Sequence, residues 1–238
     1  MEATCDNRRM ATLTVLQSIA FREAFLELAG QFDRASGHTT RAVFDGGLNV
    51  SARIAAGERV DAVVMSADAI EEMARSGHIA PGGRTDLAIS PIACAVRAGA
   101  GRPALETEAD FISLLRASRS IAYSTGPSGV HLITVLDRLG LSGELAGRLR
   151  QVRGEPAGAT VARGECDLAF QQMSELLPVP GIDIAGLLPK AVQKTTLFSI
   201  GLHAAAPEPD ATRALMRFLA SAEAAPVIRA KGMQPIAA

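Results

Sequence analysis

The sequence predicts an α/β protein in which helices cover both faces of parallel β-sheets. Short apolar runs, typical of buried strands, alternate along the chain with stretches whose apolar residues recur at helical spacing. Turns rich in glycine, proline and aspartate separate these elements. Strands that alternate with helices favour parallel pairing, because each helix carries the chain back across the sheet to the start of the next strand.

The first part of the chain illustrates both patterns. Residues 13–16 (LTVL) form an apolar and β-branched run that predicts a strand. In the helix that follows, Phe21, Phe25 and Leu28 lie four and three positions apart and therefore share one face. Gly37 is the expected end of that helix. The same criteria predict strands at 40–44 and 62–65 and helices at 50–57 and 69–76.

The second part of the chain continues the alternation. A stretch of turn composition, 81–84, precedes an apolar run at 89–96 that Pro91 is expected to bend. Residues 145–152 are expected to begin as a helix and to run into a short strand. The other predicted strands are 120–123, 167–170, 182–188 and 195–202, and the other predicted helices are 109–117, 130–139, 159–163, 210–221 and 222–230.

Composition and charge limit the classes of function. The 238 residues carry 24 Lys and Arg against 25 Asp and Glu, so the chain lacks the broad positive field of a nucleic-acid-binding protein. Aromatic residues make up 4% of the chain, which leaves no stacking platform for bases. At this length we expect one large domain or two small ones. We expect a monomer whose partner is a small molecule.

The N-terminal residues and the apolar runs bear on location. Glu2, Asp6 and Arg8 interrupt the first stretch, so it does not match a secretory signal. The apolar runs fall short of the roughly 18 residues of a membrane span, and no membrane insertion is expected. The sequence as written therefore predicts a cytoplasmic protein, or a periplasmic one if an export signal has been lost.

The three cysteines, Cys5, Cys94 and Cys166, are far apart and lack the paired spacing of zinc or dithiol sites. Cys94 lies in the apolar run IACAV and is expected to act as a small buried hydrophobic residue. The four histidines are equally isolated. We therefore expect no metal site and no cofactor.

Four polar loops follow predicted strands, at the edge where open parallel sheets bind ligands. One of them, Ser124–Gly129 (STGPSG), precedes a helix whose N-terminal N–H groups could hold an anion. Alternatively, Ser128 simply caps that helix. The candidate ligand-binding residues of the four loops are Ser18, Gly46, Gly47, Asn49, Ser124, Ser128, Gly129, Gln171 and Gln172.

Charged candidates near these loops are few. His131 lies just inside the helix after STGPSG and is a candidate acid or base, although a helix residue with a satisfied ring is the simpler interpretation. Arg84, Arg97 and Arg153 are candidate clamps for a carboxylate. The sequence contains no GxSxG nucleophile motif, so no motif requires an enzyme.

The order of these loops resembles the molybdate-type, type II periplasmic substrate-binding proteins of bacterial ABC transporters. The segments LTVLQSIAFREAFLELAGQFDRASG, FDGGLNVSARIAAGERVDAVVMSAD and FLASAEAAPVIRAKGMQP carry the resemblance. It implies an α/β fold of two lobes, joined by crossover segments near 89–96 and 195–202, with a ligand in a central cleft. Lobe one would be 1–90 plus 196–238, and the inserted lobe two would be 91–195. The lobes would close on a small anion by a hinge motion, with an ABC permease as partner if the protein is exported.

Two positions depart from the molybdate-binding pattern. Gly46 and Gly47 occupy a turn in which that family usually offers a serine, and Gln172 stands where it usually has a tyrosine. The resulting amide-rich site slightly favours a carboxylate over molybdate. The pattern QQMSEL instead resembles a less studied branch of the family, which aconitate isomerases also resemble.

Two functions follow from the resemblance. The first is a binding protein that closes on a small carboxylate, or on an oxyanion such as molybdate. The second is an enzyme similar to aconitate isomerases, which moves a double bond in a tricarboxylate. The second function needs a base near the cleft to move a proton next to a carboxylate, and the candidates are His131 and Glu175.

Overall fold

The computed structural model describes residues 10–236, in which ten strands and ten α-helices alternate for most of the chain. Among these residues, no helix is both long enough and apolar enough to cross a membrane. The strands are β1 (Thr12–Ser18), β2 (Thr39–Asp45), β3 (Ala62–Ser66), β4 (Ile79–Arg97), β5 (Ile121–Ser124), β6 (Leu149–Val152), β7 (Leu168–Gln172), β8 (Ile182–Leu187), β9 (Thr195–His203) and β10 (Gln234–Pro235). The helices are α1 (Arg22–Ser36), α2 (Gly47–Ala55), α3 (Ala67–Arg75), α4 (Glu108–Ala117), α5 (Pro127–Arg138), α6 (Ser142–Leu145), α7 (Ala157–Ala162), α8 (Met173–Leu176), α9 (Pro209–Leu219) and α10 (Ala225–Ala230).

Strand pairing forms two sheets that share β4. The order is β2-β1-β3-β9-β4 in the first sheet and β4-β7-β5-β6 in the second, with β8 and β10 also paired to β4. Strands β1, β2 and β3 are parallel, as are β5, β6 and β7. However, β9 is antiparallel to β3 and β4, and β4 is antiparallel to β7. The prediction of parallel sheets is therefore right for the three outer strands of each sheet and wrong for the strands between them.

The chain passes between the sheets at two places. Residues of β4 up to Pro91 pair with β9, whereas Ile92–Ala95 pair with β7. The chain returns to the first sheet between Leu187, the end of β8, and Thr195, the start of β9. This pairing supports our proposal that lobe one consists of 1–90 plus 196–238 and lobe two of 91–195. Below, lobe one is the part built on the first sheet and lobe two the part built on the second.

The largest local difference from the sequence prediction is the length of β4. The stretch Pro81–Arg84 has turn composition, yet it lies within this 19-residue strand. The register with β9 shifts between Ile79 and Arg84, where Gly82 adopts a left-handed φ of 63°. The proline and the glycine therefore form a bulge rather than end the strand.

Each lobe has its own apolar core. In lobe one, Phe21, Phe25 and Leu28 of the predicted helical face are fully buried. In lobe two, Phe111 and Phe170 meet edge to face, with ring centroids 5.7 Å apart. Because none of the buried apolar clusters among residues 10–236 spans both lobes, the boundary between the lobes is free to be polar, which suits a ligand site.

The cysteines agree with the sequence prediction where the structure describes them. Cys94 is fully buried in lobe two, and burial raises the pKa of its thiol. Cys166 is also buried. Cys5 lies outside the described residues. A buried thiol with a raised pKa holds little thiolate, so Cys94 is unreactive.

Candidate ligand site between the lobes

A cleft of about 390 Å³ opens where the carboxyl ends of the parallel strands of both lobes meet. Its volume lies within the range of small-molecule sites. All four predicted loops contribute to its lining, through Ser18, Gly46, Ser124 and Gln172 among others. The fold thus brings together polar groups that lie far apart in the sequence.

Lobe one contributes the ends of β1 and β2. Ser18 ends β1, and its buried Oγ has no hydrogen-bond partner among the described residues, so the hydroxyl is available to a ligand. Gly46, Gly47 and Asn49 also line the cleft. However, the Gly46 N–H and the Asn49 amide each donate to Asp45 Oδ1 at 2.8 Å. Asp45 therefore places a negative charge at the start of α2, where the sequence predicted donors to a ligand anion.

The STGPSG turn of lobe two is divided between the cleft and the interior. Ser124 and Gly126 line the cleft, whereas Ser128 is buried with its Oγ 3.1 Å from Ser124 Oγ. The Gly129 N–H donates to the Gly126 carbonyl at 3.0 Å. Helix α5 begins at Pro127 with Gly126 as its N-cap, so the alternative that Ser128 caps the helix is wrong. Ser128 and Gly129 support the cleft wall from within.

Two buried glutamines end β7 at the cleft. Gln171 Oε1 accepts a hydrogen bond of 2.7 Å from the Ala157 N–H at the start of α7. Because that oxygen is engaged, the NH₂ group of Gln171 remains as a donor, and it acts to lower the pKa of Glu175. Gln172 Nε2 donates to Thr196 Oγ1 at 2.8 Å, and Gln172 Oε1 has no partner among residues 10–236. The two amides therefore serve different elements, although they are neighbours in the sequence.

Glu175 lines the cleft from α8, a single helical turn that follows β7 and that the sequence analysis did not predict. Burial raises the pKa of its carboxyl to about 7, although hydrogen bonds from the Gln171 side chain and the Gln172 backbone act in the opposite direction. A carboxyl group with a pKa near 7 is well matched to take and return a proton at neutral pH.

Two other carboxylates line the cleft, and their surroundings lower their pKa values instead of raising them. Hydrogen bonding from Asn49 lowers the pKa of Asp45. Hydrogen bonds of 2.7 and 2.8 Å from Arg163 lower the pKa of Glu155. Because both groups stay ionised and engaged with neighbours, they are weak proton acceptors. Among the described residues of the cleft, Glu175 is therefore the best candidate for a base.

His131, the other candidate base, lies on α5. Its Nε2 is 2.9 Å from the Val192 carbonyl oxygen, so one ring nitrogen is satisfied inside lobe two. The described residues that line the cleft do not include His131. This placement agrees with the simpler interpretation of a helix residue with a satisfied ring.

Of the three candidate carboxylate clamps, Arg153 lies at the cleft, directly after β6. Its Nη2 donates to Gln151 Oε1 at 2.9 Å. Arg84 instead pairs with Asp86 at 2.9 Å, and Arg97 lines a separate cavity at the far end of β4. Arg153 thus supplies the positive charge in the described lining of the cleft.

The cleft also includes Thr125 of the predicted STGPSG loop, and it includes residues outside all four predicted loops, among them Ser66 and Phe198. Ser66 ends β3 as Ser18 ends β1. Because open parallel sheets bind ligands beyond the carboxyl ends of their strands, Ser66 could have been predicted in the same way. Phe198 belongs to β9, whose antiparallel place beside β3 no local pattern reveals.

Two α/β lobes around a polar cleft, with the chain crossing between them twice, define the fold of type II periplasmic binding proteins. Solved structures with the same fold include the periplasmic molybdate-binding protein of Azotobacter vinelandii, with a TM-score of 0.79, 23% identity and coverage of 93% of this chain and 98% of that chain. Another is the sulfate-binding protein of Mycobacterium tuberculosis, with a TM-score of 0.72, 13% identity and coverage of 95% and 87%. The predicted fold class is confirmed.

The family model for bacterial extracellular solute-binding proteins matches residues 13–234. The chain belongs to this family. It is also similar to an aconitate isomerase from Pseudomonas sp., with 39% identity over 235 residues that cover 96% of this chain and 90% of that protein. The resemblance predicted from the sequence is confirmed, and with it the assignment to solute-binding proteins.

Proposed function

We propose that this protein binds aconitate in its cleft and isomerises it, moving the double bond of this propene tricarboxylate by transfer of one proton. The observation that carries the proposal is Glu175, a cleft carboxyl whose pKa burial raises to about 7. The 39% identity to an aconitate isomerase supports the choice of substrate.

The chemistry needs one base that acts twice. The Glu175 carboxylate takes a proton from the CH₂ carbon of aconitate, which the neighbouring carboxylate and the double bond make acidic. The electron pair of the broken C–H bond forms a new double bond to the central carbon, and the pair of the old double bond moves to the third carbon. The protonated Glu175 then returns the proton to that third carbon. The double bond has moved by one position, and Glu175 is again a carboxylate.

The cleft offers donors to a trianion from both lobes. Arg153 can bind one carboxylate through two parallel charge-assisted hydrogen bonds. Ser18 contributes a hydroxyl from lobe one, and Ser124 and Thr125, in the loop before α5, contribute hydroxyls from lobe two. Such preorganised dipoles can replace the hydration of the carboxylates without one cation for each.

The test is incubation of the protein with cis- or trans-aconitate in deuterated water, followed by NMR. Interconversion of the isomers supports the proposal. Tricarballylate, the saturated tricarboxylate, serves as a binding probe that cannot react. The proposal fails if tricarballylate binds while aconitate shows neither interconversion nor deuterium exchange.

A second candidate function is delivery of a bound anion to an ABC permease. The match of residues 13–234 to extracellular solute-binding proteins favours it. The same experiment separates the two functions, because tight binding of tricarboxylates without turnover indicates delivery rather than catalysis.

Replacement of Arg153 by Gln is expected to weaken tricarballylate binding about tenfold, because a charge-assisted hydrogen bond is worth about 1.5 kcal/mol and 1.4 kcal/mol is a factor of ten. Isothermal titration calorimetry measures the change. Arg119→Gln is the matched control, since Arg119 pairs with Asp167 away from the cleft. Equal losses in the two variants contradict a clamp at position 153.

The pH dependence of turnover is expected to follow the ionisation of Glu175. Because the base must be deprotonated, kcat/KM should rise about tenfold per pH unit below a pKa of about 7 and level off above it. Stopped assays of aconitate interconversion between about pH 5.5 and pH 8.5 measure the profile. A flat or falling profile over that range contradicts the assignment of Glu175 as the base.

A further inference from the structure

The segment Gln171–Glu175 lies at the junction where β4 passes from the first sheet to the second. Gln172 Nε2 donates to Thr196 Oγ1 at 2.8 Å. Two residues further on, Ser174 Oγ lies 3.4 Å from Ser90 Oγ. Ser90 and Thr196 are direct cross-strand partners in β4 and β9, next to the last pair that these strands form. Both contacts therefore end on one pair of residues at the crossing point.

All four of these side chains are inside the protein. Ser90 is fully buried, and the exposed fractions of Gln172, Ser174 and Thr196 are 1%, 4% and 7%. When a hydrogen bond between buried polar groups breaks, no water replaces the lost partner, so breaking it is costly. Such bonds therefore hold their elements in one arrangement. Helix α8 is consequently tied to the strands that connect the lobes as well as to its own lobe.

The same segment also lines the cleft. Gln171, Gln172 and Glu175 all line it, and the Gln171 side chain acts to lower the pKa of the Glu175 carboxyl. The segment thus contacts the crossing strands through Gln172 and Ser174 and also reaches the cleft. Because Ser174 and Glu175 belong to the same helical turn, whose N-cap is Gln172, a rotation at the crossing point is expected to displace the carboxylate.

We propose that the buried contacts of Gln172 with Thr196 and of Ser174 with Ser90 couple the relative position of the two lobes to the position of the Glu175 carboxylate. The coupling rests on the proposed function and describes its regulation. A ligand that draws the lobes together changes the geometry at β4 and β9, and α8 follows, so the base reaches its working position when the cleft is closed on its ligand. Thr196 and Ser90 are positioning residues in this arrangement, since they act through α8.

The test compares Thr196→Val, which keeps the shape of the side chain but removes its hydroxyl, with Thr196→Ser, which keeps the hydroxyl. We expect kcat for aconitate to fall about tenfold in Thr196→Val, since small displacements of a catalytic group have effects of this size or larger. Thr196→Ser should keep at least about half of the wild-type rate. The Kd of tricarballylate should change less than about threefold in both variants, which also shows that they are folded.

The pH profile of turnover separates a purely structural role of Thr196 from the proposed coupling. Loosening α8 admits water to Glu175, so the kinetic pKa should fall from about 7 towards its ordinary value of 4.5 in Thr196→Val and stay unchanged in Thr196→Ser. The coupling is overturned if the two variants have equal kcat, or if activity falls only in proportion to binding. A wild-type protein that binds tricarballylate but does not turn over aconitate overturns the proposed function itself, and the two failures are therefore distinct.

Discussion

Replacement of Glu175 by Gln is expected to lower kcat for aconitate isomerisation by about a thousandfold, since general acid–base catalysis contributes about 10²–10⁴ and this group acts in both proton transfers. The amide has nearly the same shape as the carboxylic acid but cannot accept the proton. NMR of aconitate in deuterated water measures both interconversion and exchange. Turnover within about tenfold of the wild-type rate contradicts the assignment of Glu175 as the base.

Ligand affinity provides the first control for this variant. Glu175 carries a negative charge above its pKa of about 7, in the cleft that receives an anion. Its removal relieves like-charge repulsion, so tricarballylate should bind at least as tightly to Glu175→Gln as to the wild type above that pH. A loss of binding together with activity indicates a damaged cleft rather than a missing base.

The free energy of unfolding provides the second control. Because the pKa of Glu175 in the folded protein lies above its ordinary value of 4.5, ionisation of this group costs stability as the pH rises from 4.5 through about 7. The full shift corresponds to at most about 3 kcal/mol, at 1.36 kcal/mol per pKa unit. Glu175→Gln should therefore unfold at a higher temperature than the wild type at about pH 8 and at a similar temperature at about pH 4.

Much of the secondary structure could be predicted because apolar patterns report burial directly. The run at 62–65 is buried throughout in β3, and the predicted face of α1 is buried in lobe one. The length of β4 could not be predicted, because Pro81 and Gly82 have the composition of a turn. Only pairing with β9, which lies far along the chain, makes them part of a bulged strand.

The place of the candidate site could be predicted because the carboxyl ends of parallel strands meet at one edge. Which residues of each loop face the ligand could not be predicted from the sequence. Ser124 lines the cleft, while Ser128 is buried one helical turn later. The difference depends on where α5 begins, and α5 begins at Pro127, ahead of its first apolar side chain at Val130.

The pKa values of the cleft carboxyl groups could not be predicted from the sequence either. Asp45, Glu155 and Glu175 all line the cleft. Hydrogen bonds lower the pKa of the first two, while burial raises the pKa of the third. Burial and hydrogen-bond partners are properties of the packed lobes, so residue type alone cannot rank these groups as bases.

Replacement of Gly129 by Ala is expected to destabilise the protein by about 3 kcal/mol or more, a fall in melting temperature of about 6–12 °C. A Cβ at this position would lie 1.8 Å from the Ser124 carbonyl oxygen and 3.1 Å from the Tyr123 ring. Ser124 belongs to β5 and is paired with Val152 of β6, so it cannot move aside without disturbing the sheet. Differential scanning calorimetry measures the change.

Gly126→Ala is the matched control from the same turn. Its Cβ would lie 3.6 Å from Ser124 Oγ, an ordinary contact, and its φ of -82° suits any residue, so the melting temperature should change by less than about 3 °C. Equal melting temperatures for the two variants contradict the close packing at Gly129. The N-terminus of α5 can lie over the end of β5 only where residue 129 has no side chain. The loss of stability in Gly129→Ala should therefore come from the displacement of α5 from the end of β5.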